Sequence, residues 1–317
     1  MSLTVKSLNG DTSFLLIFTP AAPLGSRSFT ILVDPWLVGS SIILNSVFSI
    51  SRQKAQPCIS HLKQLETEPD LVIISQHKPD HCHEETLRQL PSDCNSTILA
   101  TPAAAKKIRS WKYFSPRLVH TLPRYVKGDG QSVYRIALPP PTPQGSCGEV
   151  TVTWMPAKRD ISGVHHAFGI TYRPPWTASR CNNREKTLSV IYSPHGVSYD
   201  IICPYATSHL VSEAALPLTA LLHSFDCVEN PWWLGGKISA GSPGGIEIAR
   251  NLHARAWISA HDADKDNRGW AVKQTRIGQY AVDEVERMLR EGSEGVHVVD
   301  TKAICLASGE QRRIGLG

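Results

Sequence analysis

The stretch Ser75-Gln76-His77-Lys78-Pro79-Asp80-His81-Cys82-His83 decides how this chain is read. An apolar run, Leu71-Val72-Ile73-Ile74, leads into it, and Glu84-Glu85-Thr86-Leu87-Arg88-Gln89-Leu90, which can begin a helix, follows. A β-branched apolar run that breaks into polar residues reads as a buried strand ending at a loop. Three histidines and an aspartate therefore gather at a strand's mouth, where α/β proteins keep their sites.

The chain around that loop shows the same pattern. Leu3-Thr4-Val5 and Phe14-Leu15-Leu16-Ile17-Phe18 flank Asn9-Gly10-Asp11 and predict a hairpin. Phe29-Thr30-Ile31-Leu32-Val33 predicts a buried strand that ends in Asp34-Pro35-Trp36-Leu37. Residues 40–70 have no clear period and are expected to form a helix or loop over the mouth. Ile98-Leu99-Ala100 and then residues 103–111 read as strand and helix. Residues 133–138 and 150–154 read as strands on either side of a proline-rich hairpin tip.

The second half repeats the rhythm. Leu188-Ser189-Val190-Ile191-Tyr192 ends in Ser193-Pro194-His195-Gly196, and Ala256-Trp257-Ile258-Ser259 ends in Ala260-His261-Asp262. Asp200-Ile201-Ile202-Cys203 is read as another strand, and helices are expected around residues 212–222, 245–252 and 276–290. Strands first, then strand–helix alternation, in two halves, predict two mixed sheets packed together with helices outside. A single domain over residues 1–317 is expected.

The Asp80-His81 pair at this position resembles the metallo-β-lactamase fold superfamily, whose signature is His-x-His-x-Asp-His after such a strand. The Asp34-Pro35 step resembles the superfamily's second recurring element, in which the aspartate braces the metal-site loop. The resemblance implies a four-layer αββα sandwich, α+β or α/β in class. It also implies one divalent metal ion, zinc first and iron or manganese as alternatives, held by Asp80, His81, His195 and His261. His83 is a candidate ligand beyond that set, on the likeness to a divergent plant and microbial branch. The motif's first two histidines fall on Gln76 and Lys78, and the third ligand of that second site falls on Arg159. Neither cation is a plausible ligand at neutral pH, and both repel a second ion. A single-metal centre is therefore expected, with Lys78 or Arg159 supplying the charge of the missing ion.

The activity this implies is hydrolysis of a small ester, lactone, amide or phosphodiester by a water that the ion acidifies. Asp80 would orient the water and pass on its proton. Arg159, His166 and Trp232 are expected to contact the substrate, and the early Asp-Pro-Trp-Leu turn favours a lactonase-like preference. A catalytically silent binding protein, or a metal-dependent lyase or oxygenase on the same scaffold, is the competing expectation.

Composition narrows the rest. The chain has 317 residues, 41% of them hydrophobic and 19% charged, as in ordinary globular proteins. The net charge of +5 is mild and forms no long basic block, so no nucleic-acid partner is indicated, while the cations near the mouth point to a small, anionic substrate. No apolar stretch is long enough to cross a membrane, and no signal-peptide pattern opens the sequence. The eight cysteines are scattered without a Cys-x-x-Cys pair, so they read as reduced thiols and the expected location is cytoplasmic. Cys82, between two histidines, is the one with a possible role. Asp262-Ala263-Asp264-Lys265-Asp266 lacks the glycine and glutamate of a calcium loop and reads as a solvated charge run. The sequence does not indicate an oligomeric state.

Overall fold

Burial along the strands shows why the chain layers as it does. In Phe14–Thr19, Phe14, Leu16 and Phe18 are buried while their neighbours are half-buried, the period-2 pattern of a sheet with one covered face. In Leu71–Ile74 all four residues are buried, which requires cover on both faces. Leu71 and Ile73 join a core shared with the second sheet, while Val72 and Ile74 join a core under the helices.

The computed structural model describes residues 1–21, 27–158, 160, 162–176, 187–291 and 301–315. The strands are β1 (Ser2–Ser7), β2 (Phe14–Thr19), β3 (Phe29–Val33), β4 (Ser41–Ile43), β5 (Ser49–Gln53), β6 (Leu71–Ile74), β7 (Thr97–Ala100), β8 (Val119–Thr121), β9 (Tyr134–Leu138) and β10 (Gly148–Pro156). They continue as β11 (His166–Arg173), β12 (Leu188–Ser193), β13 (Ala220–His223), β14 (Cys227–Glu229), β15 (Lys237–Ala240), β16 (Ala256–Ser259), β17 (Lys265–Arg268), β18 (Arg276–Gly278), β19 (Lys302–Ile304) and β20 (Gln311–Gly315). The α-helices are α1 (Glu84–Leu87), α2 (Pro102–Ser110), α3 (Tyr199–Tyr205), α4 (Gly241–Asn251) and α5 (Val282–Arg290).

One sheet has the order β20-β1-β2-β3-β6-β7-β8 and the other β19-β16-β13-β12-β11-β10-β9. Each is antiparallel through its hairpins and parallel from β3 or β12 onward. Phe14, Phe18, Ile31 and Ile73 of the first sheet meet Val152, Phe168, Tyr172 and Val190 of the second. Each such side chain is worth about 1.5–3 kcal/mol when fully buried. Ala104, Ala105 and Ile108 of α2 cover the outer face of the first sheet. Ile202 of α3, Ile248 of α4 and Val285 of α5 cover the face of the second sheet that carries Ile191, Leu221 and Trp257. This is the expected four-layer αββα arrangement of two mixed sheets.

Some local expectations fail for identifiable reasons. Residues 40–70 hold the β4–β5 hairpin, which pairs with β17 as a small sheet, and no α-helix. Tyr199–Tyr205 is helical, not a strand. Ile202, Tyr205, Ala206, His209 and Leu210 are buried at helical spacing, and a four-residue apolar run alone cannot reveal that. Ala220–His223 is strand β13, fully buried, where a helix was expected. Residues 276–278 are strand β18, so the C-terminal helix begins only at Val282.

Among the described residues no helix is long and apolar enough to cross a membrane. The seven described cysteines are free, and Cys82 points into the core under α1. Burial pushes its thiol up to about 12, so it is an inert packing residue.

Candidate metal centre

The parallel strands of both sheets deliver their polar ends to one place. β3 ends at Asp34, β6 leads through Ser75 to Asp80 and His81, β12 leads to His195, and β16 leads to His261. Asp34 and His261 stand at φ 42° and 73°, the left-handed region, which costs an L-residue about 1–2 kcal/mol. Such strain persists where surrounding contacts fix it, which is common at functional sites.

His81, His195 and His261 bring one ring nitrogen each to within 4.8 Å of one another. Their ring centroids lie 4.6 to 5.4 Å apart. Asp80 Oδ2 sits 3.7 Å from Nε2 of both His81 and His261. Asp80 Oδ1 and His81 Nε2 are buried with no hydrogen-bond partner among the described residues.

The outer nitrogen of each ring is occupied. His81 Nδ1 lies 2.7 Å from Asp34 Oδ2, and His195 Nδ1 lies 3.1 Å from the Ile238 carbonyl. His261 Nδ1 lies 3.3 Å from Asp11 Oδ2. Lys265 Nζ also lies 3.2 Å from that nitrogen, but its ammonium already donates to both Asp11 oxygens at 2.9 and 2.8 Å. With each Nδ1–H donating outward, every Nε2 lone pair faces the shared space. Three imidazoles and a carboxylate suit zinc, iron or manganese, so the donor set fits the implied divalent ion.

Electrostatics agree with this reading. Burial works to lower the His81 pKa, yet Asp80 and Asp34 outweigh it and hold the pKa above the ordinary value. The field that draws a proton to His81 also draws a cation. Burial lowers the pKa of His195 and His261, with neighbouring histidines adding at His195 and Lys265 at His261. Both are therefore neutral and able to ligate. Burial works to raise Asp80, but His81, His261 and Lys265 bring its pKa below the usual carboxylate value.

The remaining expected residues divide. Lys78 and Gln76 line a cleft of about 470 Å³ together with Asp80, His195 and His261. His83 does not join the cluster. It caps α1, its Nδ1 accepting from the Thr86 N–H and hydroxyl, and its ring lies near Trp36. His166 is buried beside Phe168 and Trp154 and does not line the cleft, and burial brings its pKa down to about 4. Trp232 is 87% exposed and is not part of the cleft wall, which takes Leu234 and Gly235 from the same loop. Arg159 lies outside the described residues.

Two participants carried no sequence signal. Asp11 belongs to the turn after β1, where aspartate is common for local reasons. Lys265 lies in the expected solvated run, yet its side chain is only 12% exposed. Asp262 in the same run is half-buried. It accepts from the Ser259 hydroxyl and the Phe225 N–H, and burial pushes its pKa up to about 7.

Residues 24–152 match the family described as the beta-lactamase superfamily domain. No curated protein matches the sequence. Among solved structures, the chain is similar to a metallo hydrolase from the hyperthermophilic archaeon Ignicoccus hospitalis, at 14% identity and TM-score 0.53, covering 100% of both chains. It is similar to the metallo-β-lactamase fold protein YhfI from Bacillus subtilis, at 12% identity and TM-score 0.50, covering 98% of this chain and 99% of that one. It is also similar to CmlA, a diiron β-hydroxylase from Streptomyces venezuelae, at 14% identity and TM-score 0.55, covering 99% of this chain but 54% of that one.

Proposed function

We propose, from the premise that this chain has the metallo-β-lactamase fold, that it is a metal-dependent hydrolase with one metal ion. The observation that carries the proposal is the convergence of His81, His195 and His261 beside Asp80, each imidazole held by its outer nitrogen. A divalent ion held by these residues would supply the positive charge that acidifies water and polarises a substrate oxygen.

The chain's own residues do the rest. Asp34, the Ile238 carbonyl and Asp11 fix the three rings, so little reorganisation is needed. Asp80 is ionised at neutral pH, and its unpartnered Oδ1 takes a proton from the attacking water and returns it to the leaving group. Lys78, on the cleft wall where the resembled motif has a histidine, attracts the negative charge that develops on the substrate. A small ester, lactone, amide or phosphodiester meets these requirements.

The test is elemental analysis of wild type and His81→Ala purified side by side. About one equivalent of zinc, iron or manganese, lost in the variant, supports the proposal. Two equivalents would refute the single-metal centre, and none under metal-replete growth would favour a silent binding protein.

A further inference from the structure

Gln76 stands where the resembled motif has its first histidine, and it is 2% exposed. Both amide atoms, Oε1 and Nε2, are buried with no hydrogen-bond partner among the described residues. A buried, unsatisfied amide is costly and rare in a native protein, and its usual explanation is a group that arrives from outside. Gln76 lines the cleft that also exposes Lys78, Asp80, His195 and His261, so such a group has a route to it. The cleft lining also includes the apolar Phe48, Val164, Leu234 and Ile238.

We infer that Gln76 is a specificity-determining residue that selects a substrate presenting an N–H and a C=O side by side, joined to an apolar body. A glutamine side chain offers one acceptor oxygen and an NH₂ donor. A primary carboxamide, a ureido group or a cis-disposed secondary amide matches it with two parallel hydrogen bonds. An ester, lactone or phosphodiester provides acceptors only and leaves Oε1 buried and unpaired. Sites built to bond a polar group reject analogues that lack it far more strongly than apolar pockets reject a change of size. This inference deepens the hydrolase reading by choosing among its substrate classes, and it rests on that reading only for what happens to the ligand after binding.

The test uses hexanamide, N,N-dimethylhexanamide and methyl hexanoate, which share the acyl chain and carbonyl, while hexanamide alone carries N–H. Binding is measured by ligand-observed NMR on purified wild type and on Gln76→Met, which keeps the side-chain length without the amide. Wild type is expected to bind hexanamide about tenfold more tightly than either partner lacking N–H. Gln76→Met is expected to lose that preference while its Tm rises by about 2–4 °C, because an unsatisfied buried group is gone. Equal binding of the three compounds by wild type, no binding of hexanamide, or a preference that survives in Gln76→Met would each overturn the inference. Hydrolysis is not read in this experiment, so failure of the hydrolase reading appears in the metal analysis instead.

Discussion

Asp34 Oδ2 lies 2.7 Å from His81 Nδ1, and both side chains are fully buried. The same carboxylate accepts from the Ser75 N–H at 2.7 Å, the Ser75 hydroxyl at 2.5 Å and the Tyr192 hydroxyl at 2.6 Å. A strand end of each sheet is thus tied to one aspartate, and the tie sets the tautomer of the metal-facing histidine. Asp34→Asn presents an NH₂ to a pocket whose groups all donate to the native carboxylate. We expect metal affinity to fall about 10- to 100-fold, read by competition with a chelator. Unchanged affinity would show that Asp34 holds the fold without tuning the site.

Asp11 and Lys265 form a buried pair behind His261, separated by 254 residues in sequence. The Lys265 ammonium and the Nδ1–H of neutral His261 both reach one carboxylate, whose pKa is held far below normal despite burial. Asp11→Asn leaves the Lys265 ammonium without its partner and should cost about 3–5 kcal/mol in urea unfolding. The double variant Asp11→Asn with Lys265→Met should recover much of that loss, because no uncompensated charge remains. Additive losses in the double variant would contradict the pairing.

The parts of this architecture that could be read in advance were those with a local cause. Leu71–Ile74 followed by Asp80-His81, and Phe29–Val33 followed by Asp34, carry the fold in their apolar runs and the site in the residues where those runs break. His195 and His261 followed by the same argument at two later strand ends. His83 misled because a histidine beside a motif looks the same whether it ligates a metal or caps a helix. Only the position of the Thr86 N–H separates the two roles. Asp11 stayed hidden because its partner is long-range, and no periodicity links a β-turn aspartate to His261. Residues 200–203 failed as a strand because Ile202 is buried by packing with Ile191 and Leu221, a tertiary cause that a short run does not record.

A pH-sensitive core group, in the helical turn after α3, packs against the second sheet away from the site. His209 is buried, its Nε2 lies 2.9 Å from Thr151 Oγ1, and its ring stacks on Tyr205 at 5.2 Å. Burial, and then Arg135, bring its pKa down to about 4, while Glu149 pulls weakly the other way. The folded value lies below the unfolded one of about 6.5, so the unfolded chain binds more protons between them. This group's stability contribution is therefore complete above about pH 6.5, falls as pH drops toward 4, and levels off below that. Between pH 7 and 5 the loss attributable to His209 should be about 2 kcal/mol. The measurement is the difference in urea unfolding free energy between the two pH values, compared for wild type and His209→Gln. Equal pH dependence in the two proteins would mean that His209 is protonated at little cost in the fold.

His83 offers the sharpest separation of structure from site. Its Nδ1 accepts from the Thr86 N–H at 3.3 Å and from the Thr86 hydroxyl at 3.0 Å, and Thr86 Oγ1 in turn accepts from the Leu37 N–H at 3.1 Å. The chain of bonds joins the start of α1 to the turn that follows Asp34, so His83 holds two loops at the mouth without facing the three histidines. His83→Ala removes a helix cap and a neighbour of Trp36, and stability should fall by about 1–2 kcal/mol. Metal content should stay at the wild-type level, in contrast to His81→Ala. Loss of metal in well-folded His83→Ala, checked by elemental analysis alongside circular dichroism, would return His83 to the ligand set and require a centre different from the one described.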